Sequence, residues 1–510
     1  MAYKVFAAID VGSNQISMKI FEIAPRKGCT EIDSVNSIIE LGSDTYNKGY
    51  IGEESLNKLC DILNKFKKKM KEYGVDDYRA YASSAVREAE NSAMVIERIK
   101  NKTGIDVAIL SNSEQRFMNY KAFAAVRGSM ESISSKNAAL LDIGAGSLQI
   151  SIFDKTNLIY TQNIPIGAVR IRDYITKLDT VGSNFENIMQ EYVSKFIMEF
   201  RNMFMNEKGI KSIIAIGDGI INLKKAGPEL NITDSITRDQ FKVLYQKVTD
   251  TTPADLSEKY GIPYERATLM LPIAIIYQSF LDNSKAEEIL TPEVTFCDGI
   301  AADYMDKNRM LQIDKDFDQD IIASAYNIAK RYRTSRAHIQ NVMDNALILF
   351  DALKRPYGLT KRDRLLLQIA CILHGCGKYI NMAGEAQISY YIIMTTEILG
   401  LSHKEREEIA NIVKYNIHFL PAERKAANLQ TLDYMKVAKL TSILRIADVL
   451  DMSRRQKISD IRVTIREQRF IITVDSLDDI TLEASMLKEK IGLFQEVYGL
   501  VPVLRQKRRL

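Results

Sequence analysis

The chain of 510 residues has few cysteines and few histidines, almost no excess of charge and no long apolar run. Its five cysteines (Cys29, Cys60, Cys297, Cys371 and Cys376) are odd in number and scattered, which argues against a disulfide framework and for a reducing compartment. Cys371 and Cys376 are spaced too far for a CxxC pair and read as core residues. Basic and acidic residues number 69 and 65, a formal charge of +4. That is too balanced for general nucleic-acid binding, so any anionic partner must meet local patches. The longest apolar run, LMLPIAII at 269–276, falls far short of the ~20 residues of a membrane span. The opening YKVFAAID lacks the basic-then-apolar pattern of a signal peptide. A cytoplasmic protein, binding neither membrane nor nucleic acid, is expected.

A hydrophobic content of 46% with 26% charged residues describes ordinary folded cores, and the length accommodates about three domains. A weak internal repeat organises the first part. VFAAIDVGSNQISMKIFEI begins at Val5 and AALLDIGAGSLQISIFD at Ala138; each is an apolar run, an Asp-x-Gly turn and an alternating strand. Ile16, Met18 and Ile20 share one face of the first, Leu148, Ile150 and Ile152 one face of the second. Asp10 and Asp142 lie 142 − 10 = 132 residues apart, about one domain length, so two copies of one hairpin-headed domain are the economical explanation. Helical stretches alternate with strand-like YRAYASS, DVAILS and IKSIIAIGDGI, an α/β pattern. From about residue 312 the apolar spacing becomes helical throughout. From about residue 456, IRVTIREQRFIITVDS reads as a hairpin and TLEASMLKEKIGLFQEVYG as one helix.

In DVGSN, Gly12 permits a tight turn while Ser13 and Asn14 add short donors, a combination suited to phosphate. Asp10, at the strand end, can hold a divalent cation directly or through water. DIGAGS repeats these parts in Asp142, Gly144, Ala145, Gly146 and Ser147. A plain hairpin turn explains either loop alone; two copies at domain spacing favour a clamp that grips a chain of phosphates from both sides.

The paired loops resemble the actin, sugar kinase and Hsp70 superfamily. A closer resemblance, to the exopolyphosphatase/guanosine pentaphosphate phosphatase (Ppx/GppA) family, is carried by AAIDVGSNQISMKI (7–20), ASSAVREA (82–89), LSNSEQR (110–116), LLDIGAGSLQ (140–149) and IPIGAVRI (164–171). It implies two actin-like (ribonuclease H-like) domains at 1–130 and 131–305, an all-helical HD-like domain at 312–455 and a small α+β domain at 456–510. It also implies removal of a terminal phosphoryl group from inorganic polyphosphate or pppGpp, using Mg2+ or another divalent cation and water. Asp10, Asp142 and Gln149 would hold the metal; Gly217, in the third turn IGDGII, would join the two loops around phosphate. Glu114 aligns with the second acid of the family's Gly-x-Glu-Glu-Ala-Arg stretch and would handle the water, although SNSE also reads as a helix cap. Arg87 would reach the phosphates with a planar fork of donors, or be an exposed helical arginine.

The sequence departs from the family in several places. Gln149 stands where the resemblance expects Glu, keeping an oxygen but losing charge and proton acceptance, so cation affinity should fall. Asp218 and Ile220 replace hydroxyl residues in the third turn. In the helical part His338, His374 and Asp448 match HD-type ligand positions, but the pair is His374-Gly375, and Glu385, Ile388 and Asn416 fall where further histidines are expected. A degenerate metal site serving as scaffold is expected there. His403 and His418 read as surface or packing residues. The basic stretches KFKKKMK (65–71), KRYRTSR (330–336) and RQKRRL (505–510) are ordinary solvated faces, or lie along the path of a polyanion, which a homodimer would lengthen. A hydrolase is favoured. A polyphosphate- or (p)ppGpp-binding sensor with weakened catalysis is the alternative, and a small-molecule kinase the third reading.

Overall fold

The computed structural model describes all residues except 1–2, 25–27, 179–184, 206–208, 311–314, 422–433 and 508–510, so the end of RQKRRL lies outside the described residues. The chain divides into two compact units, residues 1–315 and 316–510. Among the described residues no helix is long and apolar enough to cross a membrane.

The first unit is built on two sheets that repeat one plan. β1 (Lys4–Val11), β2 (Gln15–Ala24), β3 (Gly28–Ile38), β4 (Asp77–Ala82) and β5 (Val107–Ile109) form a sheet of order β3-β2-β1-β4-β5. β6 (Asn137–Ile143), β7 (Leu148–Asp154), β8 (Asn157–Ile164), β9 (Ser212–Ile216), β10 (Ser235–Thr237) and β11 (Glu288–Leu290) form one of order β10-β11-β9-β6-β7-β8. In each, an antiparallel hairpin is followed by parallel additions, β1–β4 and β6–β9. The register makes the repeat exact to the residue: Asp10 faces Ser17, and Asp142 faces Gln149. The ladder slips between Ile20 and Phe21 in one copy and between Ile152 and Phe153 in the other. Such bulges re-aim a strand, and here both follow the turn at the same interval.

The alternation places Ile16, Met18 and Ile20, and likewise Leu148, Ile150 and Ile152, in the core. β1 is buried on both faces. Ala7, Ile9 and Val11 pack toward the helices Glu53–Glu72 and Ser92–Thr103, while Phe6 and Ala8 meet Ile300, Ala301 and Tyr304 of the helix Phe296–Lys307. A helix late in the first unit thus closes the outer face of the first sheet. The KFKKKMK stretch is the solvated face of Glu53–Glu72, with Phe66 and Met70 turned inward.

The second unit opens with the helices Phe317–Arg331, Arg336–Leu353, Lys361–Leu373, Glu385–Thr395, His403–Ile417 and Tyr434–Val449. Asp316, Ser335, Thr360 and Ser402 cap four of them through side-chain oxygens. β12 (Asp460–Arg466) and β13 (Arg469–Asp475) form the expected hairpin. The single helix expected after it is two, Thr481–Lys490 and Gly492–Tyr498, and a further strand, β14 (Val501–Gln506), pairs parallel with β13. Pro502 fits because β14 is an edge strand, where a missing N–H costs nothing on the open side. His403 and His418 sit exposed at the two ends of one helix, and Cys371 and Cys376 are in the core.

Candidate active-site cleft

The two Asp-x-Gly hairpins meet at one cavity of about 210 Å³, lined by Asp10, Gly12, Ser13 and Asn14 from the first and by Asp142, Gly144, Ala145, Ser147 and Gln149 from the second, with Gly217 and Asp218 between β9 and its helix. Both turns close on themselves: Gly12 N–H donates to Gln15 O at 3.0 Å and Gly144 N–H to Ser147 O at 3.0 Å. Behind the second turn, the start of the helix Ala168–Thr176 braces the loop. Ala168 N–H reaches Gly144 O at 3.0 Å, and Val169 N–H reaches Ala145 O at 3.0 Å. Gly167 is required there because a Cβ would overlap the Ala145 backbone. The IPIGAVRI motif is therefore the buttress of the loop.

Acidity concentrates in the cleft. Asp10 is pushed up to about 8, first by burial and then by Asp218 and Asp142. Asp142 is pushed up to about 6 by burial, against the hydrogen bond that Asn119 Nδ2 donates to its Oδ2 at 2.7 Å, with Asp218 adding to the rise. Asp218 Oδ2 accepts from Gln15 Nε2 at 2.9 Å. Gly217, at φ 90°, makes the turn that brings Asp218 in; its own N–H is taken by Val294 O at 2.9 Å, and a Cβ there would stand 3.4 Å from Asp142 Oδ1. Among the described residues four enclosed oxygens of the cavity lining have no hydrogen-bond partner: Asp10 Oδ1, Gln115 Oε1, Gln149 Oε1 and Asn222 Oδ1. Buried acceptors without donors are costly, and oxygen atoms of this kind are what a hard divalent cation and its waters satisfy. The residues present therefore fit such an ion.

Three expected site residues stand elsewhere. Glu114 does not line the cavity; its Oε2 accepts from Ser111 N at 3.0 Å and Ser111 Oγ at 2.7 Å, completing a capping box at the start of the helix Asn112–Ala125. The next residue, Gln115, lines the cleft instead. Arg87 donates to Leu110 O at 2.7 Å and to Asn112 Oδ1, tying its short helix to the start of the helix that carries Gln115. Gly146 packs against Tyr46, and its carbonyl accepts from Arg170 Nε at 2.9 Å. Ser13, although in the cavity wall, spends its hydroxyl on Ser84 Oγ at 3.0 Å, Tyr46 and the Ala85 amide.

Sequence reasoning missed Gln115, Lys19 and Arg266 as cleft residues and treated Asp218 only as a departure. Lys19 is held at 2.9 Å from Asp298 and 2.8 Å from Glu31, and Arg266 donates to Gln15 Oε1. Only Lys19 carried a signal, since it stands two residues after Ser17 and so on the same face of β2. Arg266 reaches the cleft from far along the chain.

The profile of the Ppx/GppA phosphatase family matches residues 20–308, and that of Ppx/GppA phosphatase domain III matches residues 322–491. Among curated relatives, exopolyphosphatase 1 of Mycobacterium tuberculosis is 23% identical over 279 residues, covering 53% of this chain and 79% of that protein. A guanosine-5'-triphosphate,3'-diphosphate pyrophosphatase of Photobacterium profundum is 18% identical over 476 residues, 92% of this chain and 91% of that protein. The crystal structure of an exopolyphosphatase from Cytophaga hutchinsonii superposes with a TM-score of 0.53 at 20% identity, covering 60% of this chain and 98% of that one, a likeness of fold. With the paired hairpins and the helical second unit, these matches make the chain a member of the Ppx/GppA phosphatase family.

Proposed function

We propose that the chain is a phosphoanhydride hydrolase that removes the terminal phosphate of inorganic polyphosphate, or of pppGpp, in the cleft between the two hairpins. The observation that carries this reading is the meeting of both Asp-x-Gly turns at one cavity whose enclosed oxygens on Asp10, Gln115 and Gln149 lack donors. Phosphoryl transfer asks for alignment and charge neutralisation more than for covalent chemistry. Asp10 and Asp142, with the Gln149 oxygen, would hold a divalent cation such as Mg2+, which when bound neutralises phosphate charge and relieves the repulsion among the acids. The turns shape the wall against which the phosphates lie. Arg266 brings positive charge to the cavity wall, whereas the charge of Lys19 is already met by Asp298 and Glu31. Gln115 would orient the attacking water by accepting one of its hydrogens, as an amide can, without taking its proton. Turnover below that of a carboxylate-equipped cleft is the consequence.

The amides at 115 and 149 also favour a second reading, a sensor that binds the phosphate chain and releases it uncut. One experiment separates the two: phosphate release from polyphosphate and from pppGpp with Mg2+, beside equilibrium binding of both. Release that Asp142→Asn abolishes supports the hydrolase. Binding of either substrate with no release above the uncatalysed rate supports the sensor, and neither release nor binding sinks both.

A further inference from the structure

The helical unit brings together three side chains that lie 36 and 74 residues apart in sequence. His338 Nε2 stands 3.2 Å from His374 Nε2 and 3.3 Å from Asp448 Oδ1, and His374 Nε2 is 3.6 Å from the same Asp448 oxygen. His338 and His374 are buried, 3% and 5% exposed. Among the described residues this is the one His/Cys/Asp/Glu cluster whose ligand atoms all converge to within 4.8 Å of one another; the acids of the cleft do not.

The second nitrogen of each ring decides what the first can do. His374 Nδ1 lies 2.6 Å from the Cys371 carbonyl oxygen, an atom that only accepts, so Nδ1 carries the hydrogen. His338 Nδ1 lies 2.7 Å from Asp451 Oδ2, and Asp451 also accepts from the Gln456 amide at 2.8 Å and its side chain at 3.0 Å. Asp451, already held by these two donors, accepts the hydrogen of His338 Nδ1 as well. The Nε2 atoms of both rings are then left facing each other and a carboxylate oxygen. Three such atoms this close need something positive among them, a shared proton or a metal ion. Carbonyl and carboxylate partners on the far nitrogen are the usual means of fixing the tautomer of metal-bound histidine. Ligands held about 2.0–2.1 Å from a tetrahedral ion are themselves about 3.3 Å apart, the spacing of this trio. Close by, Asn416 is 4% exposed and donates to Asp448 Oδ2 at 3.0 Å, while its own Oδ1 has no partner.

We propose that the helical unit binds one divalent transition-metal ion of the zinc class on His338 Nε2, His374 Nε2 and Asp448 Oδ1, with the fourth position left to water. The glycine after His374 and the missing histidines do not undo the site; they leave it with three protein ligands. Asp448, its side chain 26% exposed, is the side from which ion and water enter. Nothing in this site depends on the chemistry of the cleft.

The test uses the full chain, stripped with a chelator, reloaded with Zn2+ or Co2+ and desalted. About one ion per chain should remain, and the cobalt form should show the intense visible bands of tetrahedral coordination. His374→Gln and Asp448→Asn should each cut retained metal by about tenfold or more, with circular dichroism confirming helix content. An Asp10→Asn, Asp142→Asn double variant should keep the ion, which assigns it to the helical unit. Retention below about a tenth of an ion per chain, or retention unchanged in folded Asp448→Asn, overturns the site and leaves a shared proton between the imidazoles.

Discussion

Replacing Gln149 by Glu tests where the cleft holds its cation. Gln149 is 3% exposed, faces Asp142 across the β6–β7 ladder and has an unpartnered Oε1. Directly opposed side chains have Cβ atoms about 5 Å apart, so a second carboxylate there repels Asp142 by about 3 kcal/mol at an effective dielectric of ~20. Without metal, the variant should therefore melt lower than the parent at neutral pH and recover on acidification. With a divalent ion about 4 Å from the new charge, attraction of about 8 kcal/mol is largely offset by the protons that the crowded acids must release and by the amide-oxygen contact given up. A net gain of about 1–2 kcal/mol, a tenfold lower Mg2+ half-saturation, is the expected result. Two measurements read it: the Mg2+ concentration dependence of phosphate release, and the shift of melting temperature on adding Mg2+. A folded variant whose Mg2+ dependence is unchanged or weaker refutes the placement of the ion beside position 149.

Further outcomes follow from the same geometry. Gln115→Glu should raise phosphate release by about a hundredfold if Gln115 positions the water, since a carboxylate can also take its proton; an unchanged rate removes Gln115 from the reaction. Glu114→Ala should cost about 1 kcal/mol of stability through the lost capping box while release at saturating substrate stays within about threefold of the parent, measured by urea melts beside the assay. Metal-free protein should lose stability as pH rises. Asp10 at about 8 and Asp142 at about 6 hold protons in the folded chain that the unfolded chain, near 4, has released. The loss therefore runs from about pH 4 to about pH 8, and denaturant midpoints that rise over that window would contradict it. Gly167→Ala drives a methyl into the Ala145 backbone; a loss of about 2 kcal/mol or more and weaker phosphate-chain binding are expected, and parent-like binding would free the buttress of any role.

The repeat was legible because both of its signals are local. Strand alternation and the Asp-x-Gly turn need only a few residues, and the matching bulges at Ile20/Phe21 and Ile152/Phe153 show the two copies in step. The closing strand β14 was hidden by Pro502 and by the basic residues around it, both acceptable at an edge. Within the cleft, the choice between residues 114 and 115 was beyond a linear reading. An acid three residues after a serine satisfies a capping box and a catalytic motif equally well, and only the helix's direction decides which side chain turns to the cavity. The bonds to Ser111 occupy Glu114, and the rotation of about 100° per helical residue gives the cavity to Gln115.

The helical unit teaches the opposite lesson about substituted motifs. Counting matches to a ligand pattern treats each missing residue as a loss, but coordination depends on where the surviving atoms converge and what fixes their lone pairs. His338, His374 and Asp448 come from three helices or their ends, and the decisive partners, the Cys371 carbonyl and Asp451, belong to no motif. In the cleft the same reasoning runs in reverse. Its motifs are nearly complete, yet the acids there do not converge as the histidine site does, and the two side chains best placed to complete the set, Gln115 and Gln149, are neutral amides. A chain can therefore keep the appearance of a hydrolase in its loops while its most closely gathered ligand atoms lie in the unit whose motif looks eroded. Mg2+-dependent phosphate release and zinc-class retention should accordingly separate by mutation, Asp142→Asn removing the first and Asp448→Asn the second; loss of both in either folded variant would show that the two sites are one system.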